Sequence, residues 1–232
     1  LCGALFMKTL QDEVQARGFT VAHIKTDSIK IPEATDEIIQ FCMEFAKKYG
    51  YTFEHEATYE RMCLVNNAVY IAKYADGKHE FKLPTGEKII TEWTATGKQF
   101  QVPYIFKKLF CGEKIVFDDL CETKQVDKGA LYLDYNEGLP EGEHDYQFVG
   151  RIGQFCPVVS GKHGGVLLTL RDDKYDSATG AKGYLWMESE KLRLLGEKAM
   201  DYIDFSYFEE LVRDAKDNIS QFCDFNAFVN SV

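Results

Sequence analysis

Residues 19–32 read Phe-Thr-Val-Ala-His-Ile-Lys-Thr-Asp-Ser-Ile-Lys-Ile-Pro, two short β-prone runs joined by Lys25-Thr26-Asp27-Ser28. Val21 and His23 alternate with Ala22 and Ile24 before the bend, and Ile29 and Ile31 alternate with Ser28 and Lys30 after it. A period of two is the pattern of half-buried antiparallel strands, here expected over Phe19 to Ile24 and Ser28 to Ile31. Asp27 then sits at the tip of a hairpin. A lone carboxylate in such a place serves either to stabilise an Asx-type turn or to present oxygen to a hard cation such as Mg²⁺, which takes one or two carboxylates and fills its other positions with phosphate and water.

The flanks extend the pattern. Upstream, Leu1 to Gly18 reads as an amphipathic helix, with Phe6, Leu10 and Val14 on one face and Gly18 just past the end. Downstream, Thr35 is a candidate N-cap ahead of Asp36 and Glu37, and Ile38, Phe41, Cys42, Phe45 and Tyr49 make one apolar stripe ending at Gly50. Helix, hairpin, helix is followed by a strand pair over residues 56–73, with Asn66-Asn67 as its turn, by a further turn at Tyr74 to Lys78, and by Trp93-Thr94-Ala95-Thr96-Gly97-Lys98.

This order resembles the palm of family B DNA polymerases, in particular phage-like and prophage-like members, over roughly Leu1 to Phe110. Their third conserved motif commonly reads Tyr-Gly-Asp-Thr-Asp-Ser, and the present chain has His23-Ile24-Lys25-Thr26-Asp27-Ser28. Asp27 matches the second aspartate, and Lys25 stands where the first would be. The resemblance implies that Asp27 is a catalytic, Mg²⁺-binding carboxylate with Lys25, Thr26 and Ser28 as its motif neighbours. It also implies a partner aspartate from an earlier palm motif, and template-directed nucleotidyl transfer by two metal ions.

The strand pair is similar to the family's Lys-Lys-Arg-Tyr segment, which meets the primer near its growing end. Tyr70 falls on the tyrosine, and Asn67, Ala68 and Val69 occupy the basic positions. The primer-template contacts implied are Tyr70, Asn67, Lys73 and Lys98, with Lys107 and Lys108 further on. DNA primer-template and dNTP are the implied partners of the complete enzyme. The fingers, the second palm aspartate and the proofreading exonuclease precede this motif in the family, so the chain by itself is expected to be inactive and Leu1 to be an internal cut. Leu1 to Met7 lacks the pattern of a secretory signal, and the implied location is the cytoplasm of a bacterial host.

Charge tests this reading. The 232 residues carry 27 Lys and Arg against 37 Asp and Glu, a net charge of -10 that opposes a phosphate backbone. The imbalance is local: residues 1–125 hold 16 basic and 18 acidic side chains, residues 126–232 hold 11 and 19. Lys73, Lys78, Lys82, Lys98, Lys107 and Lys108 are therefore candidates for a phosphate-facing strip, the bland reading being a solvated surface. Seven cysteines at positions 2, 42, 63, 111, 121, 156 and 223 show no Cys-x-x-Cys spacing and read as reduced, mostly buried thiols.

After Gly97 the pattern changes. Pro103 opens a short helix with Ile105, Phe106, Leu109 and Phe110 on one face and Gly112 as terminator. Leu131 and Leu133 alternate with Tyr132 and Asp134, residues 138–143 read as a connector, and glycine-punctuated strands from Phe148 to Trp186 suggest a small β unit. Ser160 to Gly165 lacks phosphate-loop spacing. Met187 to Leu195 is helical up to Gly196, and Ser206 with Glu209 suggests a capping box before a helix lined by Phe208, Leu211, Val212, Ala215, Ile219 and Phe222.

The fold expected is α+β: a partial palm at 1–98, an antiparallel sheet with helices on one face, and a mixed helix and β thumb-like region at 99–232 with the β unit at about 146–187. The expected function is the C-terminal palm and thumb part of a DNA-directed DNA polymerase. The alternatives are a catalytically dead relative kept as a nucleic-acid- or protein-binding module, and an unrelated acidic interaction protein.

Overall fold

In the computed structural model, which describes residues 2–136, 139–140 and 142–230, the hairpin is present but short. Strand β1 (His23–Ile24) pairs antiparallel with β2 (Ile29–Lys30), His23 opposite Lys30 and Ile24 opposite Ile29. Backbone bonds from Ala22 N to Lys30 O (3.0 Å) and from Lys25 N to Ser28 O (2.8 Å) extend the pairing at both ends. The ladder is shorter than the alternation predicts because helix packing on one face, rather than further cross-strand bonds, holds the flanking residues.

That packing comes from α1 (Cys2–Ala16) and α2 (Asp36–Lys48). Phe6, Met7, Leu10 and Val14 of α1 meet Ile38, Cys42, Phe45 and Ala46 of α2, and Phe19, Val21, Ile24, Ile29 and Ile31 pack against them. The Thr35 hydroxyl accepts from Ile38 N at 3.4 Å, as an N-cap does, with Asp36 and Glu37 in the first turn and Lys47 and Lys48 in the last. Full burial of Leu10 alone is worth roughly 1.5–3 kcal/mol. These elements form the first of two compact units, Leu1–Thr58.

The second unit is Tyr59–Val232. The boundary expected at residue 98 therefore lies inside it, because Cys63, Val69, Ile71, Trp93 and Ala95 share one core with Phe100, Phe106, Leu133, Phe155, Trp186 and Phe208. Strands β3 (Tyr59–Asn66), β4 (Val69–Tyr74) and β7 (Trp93–Thr96) make a sheet with β4 in the middle. Between β4 and β7, strand β5 (His79–Lys82) turns away and pairs with β6 (Lys88–Thr91), so residues 74–78 connect two sheets instead of closing a hairpin. The turn after β3 is Asn67-Ala68. Asn66 shapes it with its side-chain oxygen, which accepts from Ala68 N at 2.9 Å, rather than with a positive φ.

Helices α3 (Lys98–Gln101) and α4 (Pro103–Phe106) run into a π-helical turn, Lys107–Cys111, which Gly112 ends in the left-handed region at φ 63°. Then come β8 (Glu122–Gln125), β9 (Ala130–Asp134), β10 (Tyr146–Gly150), β11 (Ile152–Val158), β12 (Val166–Arg171), β13 (Lys174–Ser177) and β14 (Leu185–Glu188). They form two antiparallel sheets, β14-β11-β8 and β10-β9-β12-β13. The β unit expected at 146–187 is thus not self-contained, since β8 and β9 supply a strand to each sheet. Of the connector at 138–143, Gly138 and Glu141 lie outside the described residues.

Helix α5 (Ser189–Arg193) precedes a 3-10 segment, and α6 (Phe205–Ser220) buries Tyr207, Phe208, Val212, Ala215 and Ile219. Its cap is Asp204, which accepts from Ser206 N (3.0 Å) and Ser206 Oγ (2.6 Å), so Ser206 is inside the helix and the Ser206–Glu209 capping box does not form. Phe222 lies beyond the last turn and is exposed. Helix α7 (Phe225–Asn230) closes the described chain and anchors Phe228 in the core. Every strand pairing among the described residues is antiparallel, and with the helices this makes the fold α+β. No helix among the described residues is long and apolar enough to cross a membrane.

Candidate metal and nucleic-acid site

Thr26 and Asp27 are the two turn residues between the paired strands, and Lys25, Thr26 and Asp27 are all exposed. Neither turn residue takes a positive φ. Beneath the tip the strands are fixed, because Ile24 and Ile29 pack on the helix core while His23 is buried. Among the described residues no hydrogen bond or ion pair reaches the Asp27 carboxylate. Its oxygens face solvent from a rigid mount, as an available ligand would.

Whether Mg²⁺ fits depends on donors. Among the described residues no group of three His, Cys, Asp or Glu side chains converges as a metal cluster. One carboxylate on a hairpin suits a metal that keeps several waters and takes the rest of its oxygens from phosphate and from another segment. Asp27 fits one arm of such a site, with Ser28 half-buried beside it and the Lys25 ammonium exposed two residues away.

The residues expected at DNA separate into two groups. Tyr70, on the central strand β4, is half-buried, opposite Leu64 on β3 and Thr96 on β7, and its backbone N donates to Thr96 Oγ1 at 3.2 Å. Asn67 at the adjoining turn is exposed, as are Lys78, Lys82 and Lys98.

The other lysines are committed to carboxylates. Lys73 pairs with Glu60 at 3.2 Å and Glu92 at 3.5 Å. Lys108 pairs with Glu209 and lies 3.2 Å from Tyr104 Oη, and the Glu209 bond holds its ammonium above the ordinary lysine range against partial burial.

Lys107, expected in the phosphate-facing strip, is instead 2% exposed. The π-helical turn directs it inward, where it bonds Glu87 at 2.8 Å and Asp119 at 2.9 Å. Burial pulls its pKa down, but the bonds to Glu87 and Asp119 and their negative charge outweigh it, so the ammonium titrates above the usual lysine value. Asp119 in turn accepts from Val116 N at 2.8 Å. Lys107 is therefore a core ion-pair residue with no reach to phosphate. A Lys-Lys doublet on a helical run gave no sign of which member faces in, and the acids that capture Lys107 lie 20 residues before it and 12 after.

Comparison with protein-family models, curated proteins and solved structures returned no match to this chain.

Proposed function

We propose that this chain supplies the C-terminal palm and thumb part of a family B DNA polymerase, with Asp27 as one of the carboxylates that hold the catalytic metal ions. The observation that carries the proposal is the mounting of Asp27: an unpartnered acid on a two-residue turn, between paired strands backed by α1 and α2. The Thr-Asp-Ser sequence and the order helix, hairpin, helix, strand pair support it. When bound, Mg²⁺ would activate the primer 3′-hydroxyl and offset charge on the leaving pyrophosphate. In this reading Asp27 holds the metal at a fixed point and Tyr70 with Asn67 borders the primer. The exposed Lys98, Lys78 and Lys82 offer phosphate contacts that Lys73 and Lys107 do not.

The test is primer extension by the full-length protein that contains this sequence. Asp27→Ala should cut nucleotide incorporation by several orders of magnitude and leave folding intact, while Lys25→Asp should be tolerated far better. Extension by Asp27→Ala at the parental rate would sink the assignment.

A second reading, a catalytically silent polymerase relative acting as a binding module, is favoured by Lys25 beside Asp27 and by the pairing of Lys73, Lys107 and Lys108 with carboxylates. It expects no extension by the parent and no effect of Asp27→Ala on duplex binding.

A further inference from the structure

Cys121 and Cys156 stand 35 positions apart in the chain, and the sheet β14-β11-β8 brings them together. Cys156 is on the central strand β11, opposite Met187 of β14 on one side. On its other side β11 runs against β8, with Phe155 opposite Glu122. One step further along that register sets Cys156 opposite Cys121, the residue that joins the 3-10 turn Phe117–Leu120 to β8. Their sulfurs lie 3.2 Å apart. A disulfide is about 2.05 Å long, so the pair has only ~1 Å left to close.

The two thiols are not equivalent. Cys121 is 5% exposed and Cys156 fully buried, so a small solute meets Cys121 first. The hydrogen bond with Cys156 holds the Cys121 thiol below the ordinary cysteine range against its burial, and the Arg193 guanidinium acts in the same direction. Arg193 is kept there by its bond to Asp118 and by the Phe117 ring, 4.9 Å from its guanidinium carbon. The same bond and its own burial push Cys156 upward. Burial also raises Cys42, Cys111 and Cys63, the last to about 11. The thiolate is the reactive form, so Cys121 is set apart from those three, and it has a second thiol in contact.

We propose that Cys121 and Cys156 are a reversible oxidation site, at which hydrogen peroxide joins the two sulfurs and staples the edge strand β8 to the central strand β11. The Cys121 thiolate attacks one peroxide oxygen, the O–O bond breaks, and the departing hydroxide takes up the proton that Cys121 shed, leaving a sulfenic acid and water. Cys156 then attacks the sulfenic sulfur. The S–O bond breaks, and its hydroxyl leaves as a second water with the Cys156 proton. In sum, two thiols give up two hydrogens with their electrons, and one peroxide is reduced to two waters. A dithiol reverses the bond by thiol–disulfide exchange.

The staple has a mechanical consequence. β8 is bonded to the sheet along one side only, and the turn before it carries Asp119, the buried partner of Lys107. Linking Cys121 to β11 ties that turn to the middle of the sheet. The site lies in the second compact unit and does not depend on any role of the Asp27 hairpin.

The test uses the 232-residue chain, reduced with dithiothreitol, freed of it, and exposed to increasing hydrogen peroxide. Remaining thiols are alkylated in denaturant, and the digest is read by mass spectrometry. A peptide pair linked through Cys121 and Cys156 is expected at lower peroxide than any change at Cys42, Cys63 or Cys111, and dithiothreitol should restore both thiols. The linked form should melt about 5 °C or more above the reduced form. Cys156→Ser, close in size, should leave a sulfenic acid at Cys121 that dimedone labels, several-fold more than in the parent. Circular dichroism checks that the reduced variant folds; if it does not, the peptide map of the parent decides alone. Four results would each overturn the proposal: both thiols still alkylated at a peroxide level that oxidises the exposed Cys223, a link between other cysteines in their place, equal dimedone labelling of parent and folded Cys156→Ser, or a linked form that melts no higher than the reduced one.

Discussion

One carboxylate from each compact unit shows two opposite ways of holding an acid. In the second, Asp119 is buried with Lys107 against it and Val116 N bonded to it, so its charge is answered within the fold. In the first, Asp27 stands exposed on a hairpin whose strands are pinned by Phe6, Leu10, Ile38 and Phe45 below, and its charge is answered by nothing among the described residues. An acid enclosed with its partner holds structure together, and removing either member strands the other. An acid without a partner on a rigid mount contributes little to folding and stays available to a ligand. The same contrast divides the lysines, since Lys107 is consumed by the core and Lys98 is not.

The largest effect should come from breaking the enclosed pair. Lys107→Met leaves Asp119 charged and buried, and such stranded charges cost about 3–5 kcal/mol. A large drop in the urea midpoint is expected, much of it recovered when Asp119→Leu is added. The pH dependence has a definite sign. Because the folded pKa of Lys107 is raised, its contribution is complete below the unfolded lysine value of about 10.4 and is lost as pH rises through the higher folded value. The stability gap between parent and Lys107→Met should be constant from neutral pH to about 10 and shrink above it. A midpoint unmoved by Lys107→Met would remove the contrast between the units.

Next in size is the support beneath the hairpin. Leu10→Ala opens a cavity at a fully buried position of α1 and should cost about 2–5 kcal/mol. Hydrogen exchange locates the damage: Lys25 N, bonded to Ser28 O, should lose protection while Ile71 and Ala72 of β4 keep theirs. Equal loss in both places would mean that the hairpin is not held by the α1–α2 core in particular. Thr35→Ala, which removes the cap of α2, should cost about 1 kcal/mol in the same assay.

Local signals carried the first unit. Thr35 and the stripe from Ile38 to Phe45 act over a few residues and appear where their spacing places them, while the alternation around Asp27 marks the hairpin but overstates its strands, which pair only at His23–Ile24 and Ile29–Lys30. The second unit was harder for a physical reason, since its decisive contacts are remote in sequence. β9 pairs with both β10 and β12, Lys107 finds acids on either side, and Cys121 and Cys156, scattered in the chain, bring their sulfurs to 3.2 Å across β8 and β11. Periodicity shows which face of a strand is apolar, but not which strand lies beside it. The ring contacts of Tyr132 were half legible: Leu131 and Leu133 alternate visibly with it, yet only the strand register sets it opposite Phe148 and only the folded sheet brings it against Tyr175. The capping box at Ser206 failed because Asp204 reaches the same backbone N–H two residues earlier.

The smallest effect is the sharpest test of the contrast. Asp27→Ala removes an exposed carboxylate that makes no bond among the described residues, from a turn without positive φ, so nothing is left stranded and no backbone strain is introduced. Surface substitutions of this kind stay within about 0.5 kcal/mol. Asp119→Ala, the same chemical change, should be severe because it strands the Lys107 ammonium in the core. Urea denaturation of the two variants side by side measures the difference. If Asp27→Ala cost more than about 1.5 kcal/mol, well outside the surface range, the carboxylate would be shaping its own turn as an Asx residue. It would then no longer be an acid held in reserve for a metal ion.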